Sequence, residues 1–339
     1  MQYQNFLFIL GHRLAFFLLL MAFCVVTASA QDPDDIIRTE TSLIQLNVGV
    51  VDKQGRPVTS LTKSDFVIYE DGVKQSIQLF EPAEAPFSLV LMLDMSGSTV
   101  NFRQQLKLAS QRFLDVLSPE DRVAVIQFNA KVKSLSGFSL DRQKTAYAIE
   151  IAEGAGETHF YEALKYALKE LEKEGKRRKA IVVLTDGLDT HLRNTDRATL
   201  SKAQTDEEAL ATIKPDASAD LNTVLSAADR LGVTIYPLAL PSGDPKRLPL
   251  PSPHITGIYA AARARMQSLA DRTGGRLNEI NRLEYMAQLY REVAANLRTL
   301  YTVAYQPPGE RPRGKWHEIR VEVVHPELTA RTKTGYFGR

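Results

Sequence analysis

Ser88-Leu89-Val90-Leu91-Met92-Leu93-Asp94-Met95-Ser96-Gly97-Ser98 is the stretch that decides how this chain folds. Leu89 to Leu93 offers no polar face, so a strand here is buried on both sides. Burial on both sides implies a parallel sheet with helices covering each face. Val123 to Phe128, Ala180 to Leu184 and Val233 to Leu240 have the same character. Helical stretches stand between and after them at Phe102 to Leu117, Phe160 to Glu174, Ala217 to Leu231, Tyr259 to Arg272 and Leu283 to Leu300. The alternation predicts an α/β domain over 87–300, built on a doubly wound, mostly parallel sheet.

Outside that region the pattern changes to period two. Ile44, Leu46, Val48 and Val50 alternate with Gln45, Asn47 and Gly49, the mark of a half-buried strand. A second strand spans Phe66 to Glu70. Asp71-Gly72 suits a two-residue turn, so Val73 to Phe80 is expected to pair back as a hairpin. Strand patterning returns at Tyr301 to Gln306, His317 to Val324 and Ala330 to Phe337. Two or three strands alone are marginal in water. The two ends are therefore expected to pack together as one small discontinuous, β-sandwich-like domain of 41–82 plus 301–337, with the α/β domain inserted.

The chain has 339 residues, 44% hydrophobic and 24% charged, which suits a globular protein with a sizeable core. Lys+Arg 42 against Asp+Glu 40 leaves +2, with no long run of like charge, so no nucleic-acid footprint is expected. Residues 1–30 lack acidic side chains, carry His12-Arg13, run apolar from Leu14 to Val26 and end in Ala28-Ser29-Ala30. This reads as a signal peptide cleaved near Ala30, leaving Gln31 at the mature N-terminus. The run is short for a membrane anchor, which needs about 20 residues. The mature protein is expected to be exported, periplasmic or extracellular, with no membrane span. Cys24, the only cysteine, goes with the leader, so no disulfide can form; Phe23 before it speaks against lipid attachment.

The apolar strand runs directly into Asp94, Ser96 and Ser98, and in open α/β sheets ligands sit at carboxyl ends of strands. One carboxylate and two hydroxyls can converge there, with Gly97 relieving backbone crowding. Thr185-Asp186-Gly187 brings a second carboxylate to the same edge, and Gly154-Ala155-Gly156-Glu157-Thr158 brings a third hydroxyl. An all-oxygen set selects a hard cation, Mg²⁺ or Mn²⁺, held by one or two carboxylates and keeping waters. One face of the ion is left open to a visiting carboxylate.

With these residues in place, the sequence over about 87–300 resembles the von Willebrand factor type A domain and its metal-ion-dependent adhesion site, whose pattern is Asp-x-Ser-x-Ser, a distant Thr and a distant Asp. The resemblance implies metal ligation by Asp94, Ser96, Ser98, Thr158 and Asp186. It makes the first three primary ligands, and lets Thr158 and Asp186 alternate between direct and water-mediated contact. It also implies a Mg²⁺- or Mn²⁺-dependent grip on a Glu or Asp of a partner protein. Asp65-Phe66-Val67-Ile68-Tyr69-Glu70-Asp71-Gly72 and Gly335-Tyr336-Phe337 resemble a bacterial family of exported proteins related to that domain.

Plainer readings stand beside these. D-x-S-x-S alone can be an Asx turn, and Thr158 can cap the following helix. His159 and His191 match no zinc spacing. Asp189 reads as a loop or cap residue and Met95 as packing. A serine hydrolase would need a G-x-S-x-G elbow, and no P-loop or G-x-G-x-x-G occurs. A metal-dependent hydrolase or phosphotransferase using Asp94 is the alternative of another class, and a scaffold with a vestigial metal site is the third. Two irregular stretches, Leu188 to Ala198 and Pro241 to Gly257, are expected to leave strand ends on the metal face and frame the partner. In relatives the last helix couples the state of the metal to affinity, so Leu283 to Leu300 is expected to pull on the strand at Tyr301.

Overall fold

A computed structural model describes residues 43–338 apart from 176, 241–251, 281–284, 310–311 and 313. The expected leader with Cys24, and most of Pro241 to Gly257, lie outside the described residues. Strands β1 (Ile44–Val51), β2 (Phe66–Glu70), β3 (Val73–Gln75) and β4 (Ile77–Glu81) come first. Then follow β5 (Phe87–Asp94), α1 (Arg103–Asp115), β6 (Arg122–Phe128), β7 (Val132–Ser139), α2 (Arg142–Glu150), α3 (Phe160–Glu172) and β8 (Arg178–Thr185). The chain continues through α4 (Thr190–Thr199), α5 (Asp206–Thr212), α6 (Ala219–Leu231), β9 (Val233–Ala239), α7 (Pro253–Thr273), β10 (Asn278–Glu279) and α8 (Met286–Leu297). Strands β11 (Leu300–Tyr305), β12 (Trp316–Val323), β13 (Thr329–Arg331) and β14 (Gly335–Phe337) close it.

The central sheet has the order β10-β9-β8-β5-β6-β7, parallel throughout except at β7. All eight residues of β5 are buried, and they divide by parity. Leu89, Leu91 and Leu93 face a cluster completed by Leu106 and Phe113 of α1, Ile149 of α2 and Val293 of α8. Val90 and Met92 face the opposite cluster, with Leu164 and Leu168 of α3, Leu225 of α6 and Leu269 of α7. Helices on both faces explain why the sequence of β5 has no polar side. From β5 the chain winds outward to β6 and β7, then restarts at β8 on the other flank. The strand order thus reverses between β5 and β8, which opens a crevice at their carboxyl ends.

Two four-stranded antiparallel sheets, β13-β1-β11-β4 and β14-β12-β2-β3, mix strands from both chain ends. Leu46 lies opposite Val303 on one sheet, and Ile68 opposite Val321 on the other. Both sheets contribute to a single apolar cluster around Leu46, Val48, Phe66, Ile68, Tyr301 and Val321. Asp71 and Gly72 both take positive φ, 49° and 79°, as the expected two-residue turn requires. The returning strand is not one piece. β3 stays in its hairpin, and after Ser76 the chain crosses to the other sheet as β4. Ala330 to Phe337 divides the same way into β13 and β14, because each half belongs to a different sheet.

Other elements depart from expectation. β7 is an antiparallel edge strand that the sequence reading passes over, since only Ser136 of its residues is fully buried. Leu188 to Ala198 is not irregular: α4 occupies Thr190–Thr199 with Asp189 as its cap. The helix expected at Tyr259 starts earlier, at Pro253, with Ser252 capping it.

Residues 42–339 form one compact unit. Asn47 Nδ2 on β1 donates to the Gly232 carbonyl at 3.2 Å and to Thr234 Oγ1 at 2.5 Å. Buried Lys333 pairs with buried Asp229 at 2.6 Å. Buried Arg178 donates to the carbonyls of Ala83 at 2.6 Å, Ala85 at 3.0 Å and Leu297 at 2.6 Å. One guanidinium therefore fixes the entry to β5 and satisfies a carbonyl at the negative end of α8. No helix among the described residues is long and apolar enough to cross a membrane. Arg178→Ala leaves three carbonyls without their donor, so urea unfolding is expected to show a loss of about 3 kcal/mol. A loss below about 0.5 kcal/mol, the range of neutral surface changes, would show that the fastening is unimportant.

Candidate metal centre

β5 delivers Asp94 level with Phe128 of β6, and Met95 N–H continues the ladder by donating to the Phe128 carbonyl at 2.8 Å. Met95 is fully buried in the core, which is its packing role. The chain then turns sharply. Ser96 N–H donates to Asp94 Oδ1 at 3.0 Å, and Ser96 Oγ lies 3.1 Å from Ser98 Oγ. Thr99 Oγ1 donates to the carbonyls of Asp94 and Ser96 at 2.8 and 3.0 Å. Arg103 reaches back to the carbonyls of Met95 and Ser96, both at 3.0 Å. These bonds hold the loop, and Ser98 lines an adjoining cavity.

The 154–158 loop packs against this turn without room for a side chain at Gly154. A Cβ there would lie 2.7 Å from the Met95 carbonyl oxygen and 2.6 Å from Asn129 Nδ2. Gly97 N–H donates to the Gly156 carbonyl at 2.9 Å, tying the two loops together. Thr158 exchanges bonds with Thr190 at the start of α4: its N–H donates to Thr190 Oγ1 at 3.0 Å and its carbonyl accepts from Thr190 N–H at 2.9 Å. His159, not Thr158, is the N-cap residue of α3, and it makes no side-chain cap bond. Thr158 and Ser98 line one cavity of about 220 Å³, together with Leu188, Thr190 and Arg193.

At the end of β8, Thr185 Oγ1 donates to Asp94 Oδ2 at 2.6 Å and accepts from Gly187 N–H at 3.0 Å. Asp186 Oδ1 accepts from Leu188 N–H at 3.1 Å. Asp186 Oδ2 is buried with no hydrogen-bond partner. Asp94 and Asp186 are 0% and 1% exposed, so two carboxylates are sequestered from water side by side. Burial pushes the Asp94 carboxyl up to about 7, with the charge of Asp186 adding to the rise. Asp186 is raised by burial too, against the opposing hydrogen bonds from Ser98 and Leu188 N–H and the charge of Arg263. Either a proton or a cation can relieve such a pair. The orphaned Asp186 oxygen and the all-oxygen surroundings fit a hard divalent ion.

Asp94, Ser96, Ser98 and Asp186 are thus gathered at one point, and Thr158 lines the cavity alongside. Thr185 is a positioning residue that sequence reading overlooks, although its place at the end of the strand beside β5 is the clue. The neighbours considered for other roles stay outside the cluster. Asp189 caps α4 through His191 N–H and Leu192 N–H at 3.0 and 3.2 Å. His159 stands between Glu157 and Glu162 at 3.6 and 3.2 Å, and His191 is exposed.

Residues 89–188 match the family model described as von Willebrand factor type A domain. That segment contains Asp94, Ser96, Ser98, Thr158 and Asp186, and it leaves both flanking groups of strands outside. Among solved structures, the chain is similar to a von Willebrand factor type A protein from Catenulispora acidiphila, at 12% identity and a TM-score of 0.47 over 88% of this chain and 74% of that one. The von Willebrand factor domain of a type V pili tip protein from Porphyromonas gingivalis gives 14% and 0.46 over 63% and 95%. An aerotolerance-related membrane protein from Bacteroides fragilis gives 14% and 0.44 over 62% and 98%. Each is a distant likeness.

Without metal, the raised carboxyl has a pH signature. A buried acid with an elevated pKa binds protons more tightly folded than unfolded, so stability falls as pH rises between the two values, 3.8 and about 7. In EDTA, the wild type is expected to lose stability relative to Asp94→Asn as pH rises from about 4 to 7.5. Urea denaturation at several pH values reads this directly, and parallel profiles for the two proteins would contradict it.

Proposed function

We propose that Asp94, Ser96, Ser98, Thr158 and Asp186 hold Mg²⁺ or Mn²⁺, and that the loaded site grips an acidic side chain of a partner protein. The observation that carries this reading is the orphaned, buried Oδ2 of Asp186 beside buried Asp94. Two buried carboxylates, one with an oxygen that no donor reaches, are unfavourable for a fold that gains nothing from them. Three hydroxyls at the same mouth supply neutral donors, which leave the ion electron-poor toward a visiting carboxylate. The match of residues 89–188 to the von Willebrand factor type A model supports the same assignment.

Each residue has a task in this reading. Asp94 and Asp186 supply the charge that retains a divalent ion. Thr185, through its bond to Asp94 Oδ2, and Leu188 N–H, through Asp186 Oδ1, hold the two carboxylates in orientation. Ser96 and Ser98 supply hydroxyls from a turn that Thr99 and Arg103 hold, and Thr158 supplies its own from the cavity that Ser98 also lines. When bound, the ion supplies a Lewis-acidic centre for an exogenous carboxylate. The carboxylates whose pKa values burial raises are the proposed ligands themselves, and the neighbouring histidines are exposed or paired with glutamates, which supports binding over catalysis. With residues 1–30 read as a leader, the module works outside the cytoplasm, in the periplasm or the medium.

Immobilised wild-type protein in Mg²⁺ is expected to capture a partner from cell-envelope extract, to release it into EDTA, and to lose capture in Asp94→Asn. Circular dichroism of the variant checks that it is folded. Capture that persists both in EDTA and in the folded variant would sink the reading.

A further inference from the structure

The cavity of about 220 Å³ lined by Ser98 and Thr158 has one cation in its wall, Arg193 of α4, and one carboxylate, Glu157, which lies 3.6 Å from His159 Nε2 and is not paired with Arg193. Its Nε is buried with no hydrogen-bond acceptor, and among the described residues no carboxylate pairs with its side chain. The cations around it each have a protein partner, although Arg103 Nε and Arg265 Nε are also buried without an acceptor. Arg265 holds Asp196 through two bonds of 2.7 and 2.5 Å, Arg263 lies 3.5 Å from Glu279, and Arg103 is taken up by two loop carbonyls. A buried guanidinium N–H without an acceptor is unfavourable, and buried donors are nearly always satisfied. Arg193 differs from Arg103 and Arg265 in that, among the described residues, no part of its side chain has a protein partner, and on a cavity wall such a side chain points to an acceptor that arrives with a ligand. Ser98 and Thr158, both assigned to the metal, line the same cavity as Arg193, so the two proposed halves of the site share that space.

Resting on the metal-site reading above, we propose that Arg193 is the specificity-determining residue of the site. It donates from Nε–H to the carboxylate of the bound partner residue, alongside the ion. The reason lies in charge. Asp94 and Asp186 together neutralise a divalent ion, so the loaded cluster alone has no strong preference for an anion over a neutral carbonyl or amide. Arg193 adds the positive charge that tips selection toward carboxylate. The charge-assisted bond is the kind that exceeds an ordinary hydrogen bond about twofold in strength. α4 is thereby more than an insertion: its Asp189 cap and the Arg265–Asp196 bond hold Arg193 against the cavity.

Glutarate is the probe, added to the full folded chain loaded with Mn²⁺, with proton relaxation of the probe reading its contact with the ion. Wild type is expected to relax glutarate, with Arg193→Gln weakening glutarate binding on the order of tenfold or more while Mn²⁺ affinity stays unchanged. Arg193→Lys is expected to restore part of the loss, and the salt dependence of glutarate binding is expected to flatten in Arg193→Gln. Equal glutarate affinity in wild type and Arg193→Gln would overturn this assignment and leave the metal site standing. Failure of wild type to take up Mn²⁺ would overturn both.

Discussion

Two carboxylates are buried close to one another, and the loops around them are arranged to meet that constraint. In water Asp94 and Asp186 would repel weakly; sequestered, their repulsion and lost hydration both grow. The protein meets this with donors from three directions: Ser96 N–H and Thr185 Oγ1 on Asp94, and Leu188 N–H on Asp186. It stops one oxygen short. That remaining oxygen, Oδ2 of Asp186, is buried without a partner, and it is the one on which the proposed cation site rests.

The sheet makes the arrangement possible. β5 and β8 are hydrogen-bonded neighbours, with Leu93 level with Leu184, so the residues just beyond them emerge together at the point where strand order reverses. Apolar clusters on both faces hold those strand ends, and the glycine at 154 lets a third loop close against them. On the flanking sheets a separate apolar cluster forms from both chain ends, and Arg178 fastens the entry of β5 to the end of α8. The positions of the site oxygens are therefore properties of the whole sheet rather than of one loop.

Much of this is legible in the sequence. The four two-faced strands announce themselves because burial on both sides excludes polar residues from Leu89 to Leu93, and Asp71-Gly72 is one of few pairs that accept positive φ twice in succession. Asp94, Ser96, Ser98 and Asp186 are legible as a group because each follows an apolar run at a strand end. What escaped depends on neighbours in space. A strand that changes sheets at Ser76 looks continuous in sequence, since apolar alternation persists across the crossing. β7 and α4 are polar because one lies at a sheet edge and the other on the surface, so their periodicity is faint; α4 buries only Leu192 and Leu200 beyond its end. Thr185 is signalled only by its place at a strand end, and nothing in the sequence marks the role proposed for Arg193, because both depend on what the side chains touch or fail to touch.

Calorimetric titration of the EDTA-treated, extensively dialysed protein with Mg²⁺ near pH 6, in buffers of different ionisation enthalpy, tests the central claim most directly. The carboxylate pair must shed its proton to receive a cation. The account expects about one ion bound per chain, with release of up to about one proton, both absent from Asp94→Asn. A folded wild type that takes up neither Mg²⁺ nor Mn²⁺, or that takes them up with no change in bound protons, would contradict it.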